Sequence, residues 1–248
     1  MTGYLLFKHA VQRVFRNLDD ALAISGLIWI ATMAVLILSS AIAPPLLTVD
    51  DWSAASPFAR WINIGSNMTV IFVSIWIAVE WHRFALLGER PQTILPPLRR
   101  SHLVDYFVKS LLILLVLFGV MMAGLMVLML LTALLGGFGA ISFALVFVVL
   151  VFVVLVFYRI SPLLPAAAMG EDMKLAAAWA ATKPYTAQIS QAAILLLMGT
   201  FAMQVLGILF GQGLFGLIYS LVTGWIALMV GVSLLSSIYE LAASKADR

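Results

Sequence analysis

One stretch of this chain gathers side chains that could do chemistry: Val79-Glu80-Trp81-His82-Arg83-Phe84. A carboxylate, an imidazole and a guanidinium fall within four positions at the end of a long apolar run, and no other apolar run holds such a group. Glu80 and Arg83 are three apart, the spacing at which side chains meet on one helix face, so the pair is expected to join. Two readings follow. The plainer one is an anchor that ends a helix at a membrane surface, where charges can snorkel to the headgroups. The sharper one is an anion or lipid-headgroup pocket built by Arg83 and by Arg159 at a neighbouring helix end, with Glu80 or His82 making it pH-sensitive. Other chemistry finds little support. The chain has no cysteine, which removes disulfides, thiolate metal sites and cysteine nucleophiles. His9 and His102 lie in charged segments away from His82, so neither metal nor haem has a paired ligand spacing, and no cofactor is expected. There is no G-x-S-x-G, no H-E-x-x-H and no glycine-rich phosphate loop, so no enzyme is expected either.

The elements that carry these residues are membrane spans. Of 248 residues, 64% are hydrophobic and 10% charged, with a mean hydropathy of +1.12. A soluble domain needs roughly a quarter charged residues. Several apolar runs exceed the roughly 20 residues that cross a bilayer core as a helix. The expectation is an all-α integral membrane protein. Its net charge of +3 does not imply nucleic acid as a partner, because the basic residues flank the apolar runs.

In chain order, residues 1–20 place Phe7, Val11, Val14, Phe15 and Leu18 opposite Lys8, His9, Gln12, Arg13 and Arg16. That pattern reads as an interfacial amphipathic helix, or as one that docks on a partner. Six spans are expected within a 21–239 domain, at about 21–43, 62–87, 110–135, 140–158, 189–210 and 214–238, with a tail at 240–248. Pro44-Pro45 ends the first span, and Gly136-Gly137-Phe138-Gly139 and Gly211-Gln212-Gly213 turn between later ones. Pro162 and Pro165 read as a helix stop, and Met173, Ala176 and Trp179 mark a short helix over 171–182. Trp52, Trp61, Trp81, Tyr158 and Trp179 are expected as interfacial anchors. Asn63 and Asn67, four apart, and the glycines Gly207, Gly211, Gly224 and Gly231 are expected at helix–helix contacts.

Of the 14 Lys and Arg residues, all but Arg60 fall on one side of this topology, which puts both termini in the cytoplasm. A repeat is also visible. Two returning helices end in aromatic–basic pairs, Trp81 to Arg83 and Tyr158-Arg159, and each is followed by a Gly-Glu, Gly88-Glu89 and Gly170-Glu171. Three hairpins built by duplication of a two-helix unit would produce this pattern.

The three-hairpin layout, the Tyr158-Arg159 to Pro165 segment and the Ala-Trp helix around Trp179 resemble a broad set of bacterial inner-membrane proteins. These include the membrane domain attached to some glycerophosphodiester phosphodiesterases, and stand-alone relatives without assigned activity. The resemblance implies a fold and an inner-membrane location. It implies no phosphodiester chemistry, since the phosphodiesterase catalytic domain would need a soluble barrel bearing paired His and Glu residues, and nothing here has room for it. The functional expectation is a non-catalytic accessory or scaffold component that binds membrane lipids or joins a membrane-protein complex. The alternative is a transporter of an amphipathic or lipid-like substrate.

Overall fold

Local chemistry sets where the helices begin and end. Thr2 starts α1 (Gly3–Arg16) by accepting the Leu5 N–H at 3.3 Å, and Asn17 closes it by donating to the Arg13 carbonyl at 2.7 Å. α2 (Leu18–Ile42) follows, then α3 (Val49–Ala54), whose Thr48 and Asp51 form a reciprocal capping box. Ser56 caps α4 (Pro57–Leu87), with Pro57 at the first position, where a missing N–H costs nothing. Gly88 ends α4 at φ 70°, a left-handed conformation that side-chain-bearing residues rarely take. α5 (Arg100–Leu134), α6 (Ala140–Ile160) and α7 (Leu163–Met169) come next, and Gly170 closes α7 at φ 82°. The chain ends with α8 (Leu175–Thr182), a 3-10 turn at Lys183–Tyr185, α9 (Thr186–Gly207), a second turn at Ile208–Phe210, and α10 (Leu214–Ala243).

This computed structural model describes residues 2–91, 93–134, 140–211 and 213–243, and every element among them is helical. Six helices are long and apolar enough to cross a membrane, so the chain is a multi-pass membrane protein. The expected glycine turn at 136–139, Gln212 and the end of the tail from 244 lie outside the described residues. α2 packs on α4, α5 on α6, α9 on α10, and α10 also on α4. The buried core gathers at the end of the fold where α1 meets the last turns of α10, called here the terminal end. Leu6, Ile24, Ile77, Trp81, Ile160, Leu163, Ile189, Met229 and Leu234 are all buried there.

Three elements differ from the sequence expectation. α1 packs along α9 and α10 within the protein, and its buried face is Gly3, Leu6, Ala10 and Val14. Phe15 and Leu18, expected on the apolar stripe, are exposed. The small residues decide the face. Gly3 brings the backbone against Gln188 and Gln191, its N–H donates to Gln191 Oε1 at 3.0 Å, and Ser233 Oγ donates to the Ala10 carbonyl at 3.0 Å. Second, Pro162 and Pro165 do not send the chain out of the fold. They open α7, whose residues from Leu163 to Ala168 are all buried, because proline is compatible with a first helical turn. Third, α8 and α9 are joined by a single 3-10 turn at Pro184, so Leu175–Phe210 is one apolar span.

Candidate functional site

α4 carries the ionisable cluster into the terminal-end core, where every residue from Ile77 to Arg83 is buried. Glu80, His82 and Arg83 are 7%, 0% and 8% exposed. The expected Glu80–Arg83 pair does not form. A loop folds back along the helix end and supplies a better partner for each. Glu89, just past the Gly88 cap, takes Arg83 in a two-point grip, Nε at 3.0 Å and Nη2 at 2.5 Å. Arg99, from the residues that lead into α5, donates to Glu89 at 2.6 Å and lies 3.4 Å from Glu80 Oε1. The Arg99–Glu80 contact is within ion-pair distance but misaligned for a hydrogen bond. Arg83 also donates to the Ala168 carbonyl at 3.0 Å and so fastens α4 to the end of α7. Two guanidinium and two carboxylate groups thus balance one another. The Arg83 and Arg99 guanidinium groups beside Glu89 hold its carboxyl below the ordinary carboxylate range.

His82 belongs to a separate chain of neutral hydrogen bonds. Its Nδ1 lies 2.8 Å from Ser236 Oγ on α10, and its Nε2 lies 3.4 Å from Tyr106 Oη on α5. Ser236 donates onward to the Val232 carbonyl at 3.3 Å. An imidazole with its hydrogen on Nδ1, accepting the Tyr106 hydroxyl at Nε2, satisfies every member. Both ring nitrogens are therefore engaged. The pairing superficially resembles a serine–histidine nucleophile, but His82 and Ser236 are both 0% exposed.

Arg159 stands apart from Arg83. Its guanidinium lies over the Trp179 ring at 3.6 Å from the centroid, and Nη2 donates to the Trp179 carbonyl at 2.7 Å. Trp179 is one wall of an apolar groove of about 460 Å³ between α5, α6 and α8, lined also by Val116, Val156, Ile160 and Leu175. The two arginines expected to share a pocket thus have separate partners. Each is tied to a different helix end.

The expected anchors divide in the same way. Trp61 is 71% exposed and Trp179 39%, whereas Trp81 and Tyr158 are buried in the core at 0% and 7%. Trp52 is half-buried and donates to the Leu46 carbonyl at 3.2 Å. Among the packing residues, Gly207 lies against Tyr219 and Gly224 against Trp29, each close enough that a Cβ would crowd the ring. Gly231 has open space beside it, and Gly211 lies past the end of α9, so these two are not close-approach positions. Asn63 accepts the Leu46 N–H at 3.0 Å and donates to the Pro44 carbonyl at 3.2 Å, which ties α4 to the chain after α2. Among the described residues Asn67 donates only to its own helix, at the Asn63 carbonyl.

Several residues of the site are not singled out by their own sequence context: Arg99, Tyr106, Ser236 and Tyr239. The usable signal was the repeated Gly-Glu. Glu89 holds Arg83 and Arg99, and Glu171 accepts the Tyr239 hydroxyl at 2.7 Å. Glu240, near the end of α10, holds Arg13 of α1 at 2.5 Å. A carboxylate near each of three helix ends is gripped by a residue from another part of the chain. Comparison with known protein families, curated proteins and solved structures finds no match for this chain.

Proposed function

We propose that the protein is a non-catalytic component of a bacterial inner membrane, both termini cytoplasmic, that holds an anionic lipid at its basic rim. The carrying observation is the Arg159–Trp179 stack beside the apolar groove between α5, α6 and α8. An acyl chain suits a groove walled by Val116, Val156, Ile160 and Leu175. A phosphate suits the charge of the neighbouring guanidinium, which no carboxylate neutralises among the described residues. The same reading moves the headgroup site away from Arg83, which Glu89 already occupies. The burial of His82 and Ser236 supports a role without catalysis. Packing of α2 on α4, α5 on α6 and α9 on α10 supports three duplicated hairpins, as does the carboxylate near each of three helix ends. Such an architecture also suits an accessory or scaffold subunit in a membrane-protein complex.

Native mass spectrometry of the protein released from mixed-lipid nanodiscs tests the lipid reading. Arg159→Gln and Trp179→Ala should each lower retained anionic phospholipid relative to zwitterionic phospholipid. Retention unchanged in both folded variants would sink the headgroup site and leave only an anchor. A second reading, a carrier for an amphipathic or lipid-like substrate, is favoured by hollows in the half of the fold away from the termini. The packed terminal core would have to open for carriage to occur.

A further inference from the structure

The far half of the fold contains a hollow with a different chemistry from the rim. It lies between α2, α4 and α10 and has a volume of about 390 Å³, within the range of about 300–1,000 Å³ typical of small-ligand sites. Met33, Leu36 and Leu221 are among its apolar walls, and no Asp, Glu, Lys, Arg or His lines it. Its polar groups fall into two sets. Asn63, Ser40 and Ser66 already have partners in the protein. The hydroxyls of Ser39 and Ser220 and the Asn67 amide oxygen have none among the described residues. Asn67 is fixed through its Nδ2 bond to the Asn63 carbonyl at 2.9 Å, which leaves Oδ1 as an acceptor.

We propose that this hollow binds an uncharged long-chain amphiphile with a hydroxyl headgroup, of the monoacylglycerol class, taken from the bilayer leaflet at the far end. The apolar walls take the chain. Ser39, Ser220 and Asn67 offer two hydroxyls and one free acceptor, which hydroxyl groups can meet as both donors and acceptors. A carboxylate or an ammonium would enter a low-dielectric site with no counter-charge, and this absence selects for a neutral ligand. The site is at the opposite end of the fold from Arg159, and it stands whether the protein is a static lipid-binding component or a carrier.

The test uses the full chain in phosphatidylcholine nanodiscs and a monoacylglycerol bearing a photoreactive diazirine on its chain. Crosslinks should concentrate on the far segments of α2, α4 and α10. Unlabelled monoacylglycerol should lower them at least tenfold, while the fatty acid of equal chain length, ionised at pH 8, should not compete. Leu36→Trp, which fills the hollow, should lower labelling to a similar degree. The double variant Ser39→Ala with Ser220→Ala should lower it several-fold while leaving labelling by a diazirine alkane unchanged. Thermal unfolding identifies which variants keep the fold. If Leu36→Trp does not keep it, the milder alanine pair decides. Crosslinks spread evenly over the exposed faces of α5 and α6 would overturn the proposal, as would equal competition by the fatty acid. An alanine pair that binds the monoacylglycerol like the parent protein would leave a greasy surface and no hydroxyl site.

Discussion

At its far end α4 leaves Phe58, Trp61, Met68 and Phe72 exposed, whereas every residue from Ile77 to Arg83 is buried. α10 does the same in the same order along the chain: Leu214, Phe215, Ile218 and Val222 are exposed and all of 232–239 is buried. The two halves of the molecule solve different problems. In the far half the helices touch along narrow seams, α5 against α6 at Gly124 and Val149, α10 against α2 at Gly224 and Trp29. Lipid tails are as apolar as leucine, so exposed side chains there gain little from closing a core. The terminal half holds Glu80, Arg83, Arg99, His82 and Ser236, which hydrocarbon cannot satisfy. It therefore needs helices packed on all sides, with α1 and α7 filling the spaces between the long spans. The contrast teaches that polarity, more than apolarity, sets where this protein is dense.

The sharpest way to break that contrast is to remove one charge from the terminal half. Arg99→Ala takes from Glu80, 7% exposed, its one ion-pair partner among the described residues and strips Glu89 of one donor. Breaking a buried pair one-sidedly costs about 3–5 kcal/mol, and the partial exposure of Arg99 argues for the lower figure. A large fall in the thermal midpoint in detergent is expected, with partial recovery in the double variant Arg99→Ala with Glu80→Gln. A midpoint that does not move would mean that the buried network adds nothing to stability.

Two glycines, one in each half, should respond to alanine with opposite signs. A Cβ on Gly3 would lie 2.5 Å from Gln191 Cβ, while one on Gly65, in the far half of α4, meets nothing within 4 Å. Gly3→Ala should cost about 1–3 kcal/mol by overpacking α1 against α9. Gly65→Ala should stabilise the protein by roughly 0.5–1 kcal/mol through helix propensity. Thermal unfolding of both variants checks the opposite signs. Equal shifts would show that α1 is not seated on α9 as described.

These two positions also show what could be read in advance. The six spans were legible because hydropathy and length are local properties, and the expected spans fall on the observed helices. The face of α1 was legible in part: Val14 is buried and Phe7 and Val11 pack on the core, while Phe15 and Leu18 are exposed. Apolar periodicity favoured large residues such as Phe15, whereas Gly3 and Ala10 allow the close approach that decides the docking. α7 was hidden because Pro162 and Pro165 look the same whether a helix stops or starts there. In the candidate site, the position of the cluster on α4 was plain, and so was its closing Gly88. The partners of Glu80 and Arg83 were not, because a proline-rich loop brings Glu89 and Arg99 back by a path that no helical spacing encodes.

A smaller effect concerns pH. Glu89 is held below its ordinary value by Arg83 and Arg99, so its ionised form is favoured in the folded protein. Its contribution is present in full above the unfolded carboxyl value of 4.5 and is lost as the pH falls through the lower folded value. Because Glu89 is 36% exposed, solvent screening keeps the effect modest. Unfolding midpoints should fall on acidification below that range, and Glu89→Gln should flatten the dependence. An identical acid limb in the variant would assign it to other carboxylates.

The smallest expected effect lies on α5, where Met126 is 72% exposed while Leu128 and Thr132 are buried. If lipid covers Met126, Met126→Ala exchanges one apolar contact for another, and stability should stay within about 0.5 kcal/mol, as at ordinary surface sites. The same truncation at a protein–protein contact would remove packing that lipid does not restore, at about 2–5 kcal/mol. The measurement therefore separates the two partners expected for a protein with so little surface outside the membrane. A near-zero shift in nanodiscs identifies a lipid-facing helix. A shift above about 2 kcal/mol, with a change in crosslinked oligomer size, would mean that α5 meets another polypeptide and that the sparse half is sparse only in the isolated chain.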